Sequence, residues 1–175
     1  MPKLTGGATT AEHKIATREA MLDAFIREHH GQGWHNVKLQ TVARAAGVSR
    51  TAVYNYFPDK SALLLAWSTR EMDRFLLLAE RELADRENPV DRLEILVKLT
   101  LVEFSLQRFT GIALVELLSA QDRESFLEHI VPLSVLVEQL VQEGVDAGVF
   151  VDSDAAASAQ LILACVESRR PMLMA

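Results

Sequence analysis

Apolar residues recur every three or four positions along almost the whole chain, with no run of strict alternation, and this predicts helices throughout and no strands. The first helix is expected from about residue 11 or 14 to residue 30. Ile15, Leu22, Phe25 and Ile26 form its stripe, Met21 and Ala24 widen it, and Gly31 and Gly33 end it. Leu39, Val42, Ala43 and Ala46 mark a short second helix. Gly47 follows where a C-cap needs a residue that accepts positive φ, and Ser49 is placed to cap the next helix. That third helix, 50–57, buries Val53 and Phe57 and is polar and aromatic elsewhere. A long helix covers 59–86, and Asn88 and Pro89 cap and start the next. The latter, to about residue 109, carries Leu93, Ile95, Leu96, Leu99, Val102, Phe104 and Leu106 on several faces, so it should be central and enclosed; Glu94 and Lys98 form its wet edge. Further helices are expected at 112–119, 122–130, 133–147 after Pro132, and 154–169. Gly148 should cap the penultimate one, with Val149 and Phe150 folding back, and Pro171 should stop the last.

The most informative stretch is 39–60, LQTVARAAGVSRTAVYNYFPDK. Two short helices joined by a glycine turn, the second carrying Arg, Thr, Asn and Tyr on its outer side, form a helix-turn-helix pattern. The wording AxxAGVSRTAVYNYFPDKSALL resembles the DNA-binding segment of the TetR family of transcriptional repressors: the AGVS turn, the Tyr-x-Tyr-Phe end of the recognition helix, and Pro-x-Lys before a Leu-rich helix. The resemblance is specific over residues 18–66 and architectural beyond. Two positions depart from it. Lys38 stands where the family has a Ser or Thr cap, which leaves Asn36 to cap or the helix to fray, and His29 replaces a large apolar residue. The resemblance implies an all-α chain: a flexible tail over 1–12, a three-helix DNA-binding head over 13–58, and a helical effector-binding and dimerisation body over 59–175.

Charge is divided along the chain. The total is −6, yet residues 1–70 hold nine Lys or Arg against five Asp or Glu, net +4, and residues 71–175 hold nine against nineteen, net −10. A basic head on an acidic body suits phosphate binding by the head alone. The single cysteine, Cys165, cannot form an internal disulfide, which suits a reducing cytoplasm. No apolar run approaches a membrane span, and the N-terminus lacks a signal core. No histidine–carboxylate metal motif, phosphate loop or nucleophile elbow points to an enzyme, and nothing requires a cofactor or metal; His29, His30 and His35 match no ligand spacing.

On a helix entering the major groove, Arg50 can take guanine O6 and N7, and Thr51 a thymine methyl or a phosphate. Ser49 caps that helix at the DNA side. The resemblance further places Tyr54, Asn55 and Tyr56 along the DNA, largely on phosphates, and lets Gln40 reach a base or phosphate. Lys60, at the start of the long helix, is assigned a phosphate.

One head contacts too few bases, so the resemblance implies a homodimer reading a palindromic operator, released by a small-molecule effector held in the body. Thr100, Glu103, Gln107 and Glu116, polar groups among apolar runs, are the effector candidates. The family commonly dimerises through two C-terminal helices, of which this chain is read as reaching the first. Ala155, Ala159, Ile162 and Val166 offer a small-residue face for it, and Leu136 and Leu140 the supporting helix. The alternative is a ligand-independent architectural DNA-binding protein of the same fold.

Overall fold

The computed structural model describes residues 10–106, 118–151 and 154–173. Among these are eight α-helices and one 3-10 turn: α1 (Thr10–Gln32), the turn Trp34–Asn36, α2 (Leu39–Ala45), α3 (Arg50–Tyr56), α4 (Lys60–Leu83), α5 (Pro89–Leu106), α6 (Ala120–Glu128), α7 (Val131–Asp146) and α8 (Ala155–Leu173). No described residue is in a strand, and no described helix is long and apolar enough to cross a membrane. The helix expected at 112–119 and the candidates Gln107 and Glu116 lie outside the described residues. The chain divides into two compact units, Met1–Trp67 and Ser68–Ala175, so the boundary falls inside α4.

In the first unit, α1 packs on α2 and α2 on α3. Met21, Leu22, Ala24 and Phe25 are fully buried, as the stripe predicts. Ile15 is not: it is 64% exposed, because the first turns of α1 are open to solvent on every side. Lys38 takes the N-cap of α2 in extended backbone, and its own side chain makes no cap hydrogen bond. Thr41 donates its hydroxyl to the Lys38 carbonyl at 2.7 Å, which satisfies none of the first-turn amides.

In the second unit, caps set the helix starts. Asn88 Oδ1 accepts from Val90 N at 2.8 Å, Ser119 Oγ from Asp122 N at 3.1 Å, and Asp154 Oδ1 from Ala157 N at 3.1 Å. Pro132 lies within the first turn of α7 and does not act as a hinge before it. α8 continues through Pro171 to Leu173. A proline in the final turn forfeits one amide donor where few hydrogen bonds remain to lose. The core joins Phe75, Ala79 and Leu83 of α4, Leu96 of α5, Leu133, Val137, Leu140 and Val141 of α7, and Ala155 and Ala159 of α8. α5 packs against both α7 and α8, yet it is not enclosed on all sides, since Val102 is 57% exposed. Arg92 of α5 pairs with Glu143 of α7, and Glu94 pairs with Lys98 at 2.5 Å one turn along the same helix.

The expected dimer seam is corrected here. Leu140, Ala155, Ala159 and Val166 are buried within the single chain, Ala159 at 1% exposure, and so present little surface to a second copy. Ile162 and Leu136 are half-buried against the same core. The reason is geometric: α8 is apolar around most of its circumference, and its inner face is the one carrying Ala155, Ala159, Ile162 and Val166. The opposite face carries Ala157, Leu161, Ala164, Cys165 and Ser168, all exposed at helical spacing. Leu161 there is 68% exposed.

Candidate nucleic-acid interface

The turn between α2 and α3 is built from backbone that only a few residue types permit. Gly47 adopts φ 70°, the left-handed region, and Val48 N then donates to Ala43 O at 2.9 Å to close the end of α2. Ser49 is extended, and its Oγ accepts from Ala52 N at 3.1 Å. The hydroxyl hydrogen of Ser49 remains available to a partner outside the helix. α3 is anchored inward by Val53 and at its end by Phe57, both buried. Arg18 of α1 lies over the Phe57 ring, 5.9 Å from its centroid.

With that anchor in place, Arg50, Thr51, Tyr54 and Asn55 are all exposed. Their spacing of i, i+1, i+4 and i+5 places them on one continuous face of α3. Tyr56 is half-buried, with its ring 6.4 Å from that of Phe57, so of the two tyrosines it is the one that packs. On α2, Gln40 is exposed, and so is Arg44 one turn further on. Arg44 was not singled out from the sequence, although its i+4 spacing from Gln40 is a legible signal.

Lys60 is held differently from the exposed residues. Its ammonium donates to the Trp34 carbonyl at 2.8 Å and lies 4.3 Å from the centroid of the Trp34 ring. Burial pushes the Lys60 ammonium below its ordinary pKa. Trp34 meets Phe25 edge-on, at 6.3 Å between ring centroids, and Phe25 in turn meets Trp67 at 6.5 Å.

Behind these rings sits His29, half-buried, its pKa pushed down from 6.5 to about 4 by burial first, then by His30 and Lys60. The unfolded chain therefore takes up a proton between those values while the folded ring does not. Stability is complete above about pH 6.5 and falls as the pH drops toward 4. Partial exposure of the ring screens the effect to about 1 kcal/mol. His29→Leu is expected to flatten the dependence of the urea midpoint on pH across that window. An unaltered profile would assign the acid sensitivity to other groups.

The body candidates fare unevenly. Thr100 is buried, but its hydroxyl donates to the Leu96 carbonyl of its own helix at 2.8 Å. Glu103 is half-buried and already engaged. Among the described residues no three His, Cys, Asp or Glu side chains gather as a metal site would require.

Fold and surface thus define an all-helical chain whose N-terminal unit is a helix-turn-helix with a polar, aromatic outer face. Residues 21–67 match the model of bacterial regulatory proteins of the tetR family. The head is thus similar to the DNA-binding segment of that family over residues 21–67. It is 30% identical over 82 residues to the HTH-type transcriptional repressor Rv1474c of Mycobacterium tuberculosis, a match covering 47% of this chain and 41% of that protein. The chain thus matches less than half the length of that curated relative. Among solved structures it is similar to the fatty acid degradation regulator FadR of Bacillus halodurans, with a TM-score of 0.77 at 22% identity over 88% of this chain and 82% of that one. It is similar also to FadR of Bacillus subtilis, solved in complex with stearoyl-CoA, with a TM-score of 0.77 at 18% identity over 88% and 85%.

Proposed function

We propose that this protein is a transcriptional repressor that binds a palindromic DNA operator as a homodimer and is released by a small-molecule effector. The observation that carries the reading is the α3 face of Arg50, Thr51, Tyr54 and Asn55, exposed together on a rigid two-helix support. Arg50 at the first turn reads guanine, Thr51 and Tyr54 hold base methyls or phosphates, and Gln40 with Arg44 tracks the backbone from α2. The two subunits meet along Ala157, Leu161, Ala164, Cys165 and Ser168 of α8, with Val131 and Val135 of α7, all exposed in the single subunit. An apolar surface of this kind on a terminal helix is what a second copy would cover.

Release requires an effector that prefers the state in which the two heads no longer match the operator. Complex formation between Bacillus subtilis FadR and stearoyl-CoA supports an effector-binding body on this fold. The second reading is a ligand-independent protein, in keeping with a Thr100 hydroxyl whose proton is already donated within its own helix, although its oxygen can still accept. Acyl thioesters titrated against a preformed operator complex separate the two readings.

The operator-binding reading is tested at Arg50. Arg50→Ala is expected to relax base preference at one symmetric position and cost roughly 1–3 kcal/mol per half-site. Wild-type affinity should fall steeply between about 50 and 200 mM salt despite the acidic total charge, because phosphate contacts release counterions. Binding that ignores both salt and Arg50 removes α3 from DNA.

A further inference from the structure

We infer that Lys60 is an internal strut of the head, a positioning residue that fixes how α3 is presented, and not a phosphate contact. This rests on the reading that α3 faces DNA and names a determinant of its specificity.

Trp34 stands just before α2, and Lys60 is the first residue after the turn that follows α3. The bond from Lys60 Nζ to Trp34 O therefore closes the chain around the whole helix-turn-helix, spanning 26 residues. The anchor end is rigid. Trp34 is buried, and its ring is wedged edge-on against Phe25 of α1, with the planes at 86°. The other end does not depend on the lysine for its local structure, because Asp59 Oδ1 caps α4 by accepting from Ala62 N at 2.8 Å. An ammonium has three donors. One is spent on the Trp34 carbonyl, and the indole face takes the charge at a distance suited to a cation–π contact. Together the Trp34 carbonyl and the indole face hold the ammonium toward the head's own turn. The lowered ammonium pKa agrees with a group drawn out of water.

Phosphate contact and strut make opposite predictions for DNA binding. Loss of a phosphate contact weakens all sequences alike and lowers the slope of log affinity against log salt by about 0.9 per half-site. Loss of a strut leaves the slope and non-specific affinity in place, and lowers the ratio of operator to non-operator affinity.

The experiment measures operator and scrambled-duplex affinities over a salt series for the full chain and its Lys60→Met variant. The expected result is an unchanged slope with a discrimination ratio reduced roughly tenfold, the scale set by one charged hydrogen bond and one cation–π contact. Trp34→Phe provides a second route that leaves Lys60 in place. It should reproduce part of the loss, and the double variant should lose less than the sum of the two. A slope reduced by about 0.9 per half-site with the ratio intact, or a Trp34→Phe variant that discriminates like wild type, overturns the strut. Arg50→Ala keeps the failures distinguishable. If it has no effect on DNA binding, the α3 reading fails. If it relaxes base preference while Lys60→Met lowers only the slope, the strut fails alone.

Discussion

Ala159→Arg is expected to unfold the body and not merely to separate two subunits. The methyl group of Ala159 lies in the apolar core shared by α4, α5, α7 and α8. A guanidinium there would be desolvated among Leu96, Val137 and Leu140, with no carboxylate among the residues of that core. Changes of this kind cost more than about 4 kcal/mol, a large share of the roughly 5–15 kcal/mol that holds a domain together. Circular dichroism should show most of the helical signal of the body lost well below the wild-type midpoint. Leu161→Arg, on the opposite face of the same helix, is the contrasting change. It should leave the helical signal and its midpoint near wild type, yet give monomers in sedimentation and weak operator binding. A folded, monomeric Ala159→Arg protein would restore the inner face of α8 to the dimer seam. A dimeric Leu161→Arg protein would remove the outer face from it.

Gly144 is expected to tolerate no side chain. It lies buried within α7, and the Phe150 ring occupies the space a Cβ would need. The ring is held there by the chain reversal after α7. Gly148 turns with φ 67°, and Val149 N and Phe150 N both donate to Gly144 O at 2.9 Å. A methyl group at Gly144 must push the ring out, at a cost of about 1–3 kcal/mol, against about 1 kcal/mol of helix propensity gained on leaving glycine. Gly144→Ala should therefore lower the urea midpoint, and Gly144→Val should lower it further. In a Phe150→Ala background, where the ring is gone, Gly144→Ala should become neutral or stabilising. A Gly144→Ala loss of equal size in both backgrounds would show that the ring is not the obstacle.

What could be read from the sequence was what is encoded locally. Gly47, Ser49, Val53 and Phe57 lie within eleven residues, and each states its role through φ, cap or spacing, so the head's central turn was legible. The fold-back at Gly148 and the Asn88 cap were legible for the same reason. Lys60 was not, because its partner is a backbone carbonyl in a distant turn that no residue pattern announces. Nor was the inner face of α8. A helix apolar on most sides signals two partners but does not say which side meets its own core. Only the packing of Ala155 and Ala159 beside Leu140 settles that choice. Ile15 fits the α1 stripe by spacing and is still exposed, since periodicity marks a face without saying how far its partner extends.

The aromatic residues of the head also divide the protein optically. Both tryptophans, Trp34 and Trp67, and both tyrosines, Tyr54 and Tyr56, belong to the unit Met1–Trp67, which leaves phenylalanine as the only aromatic residue type in Ser68–Ala175. Fluorescence excited near 295 nm therefore reports on the head alone, whereas far-ultraviolet dichroism is dominated by the longer helical body. Melting curves followed by the two signals will coincide if the units unfold together and separate if they do not. The wild-type chain thus carries a built-in test of whether an event in the body reaches the head, with no label attached.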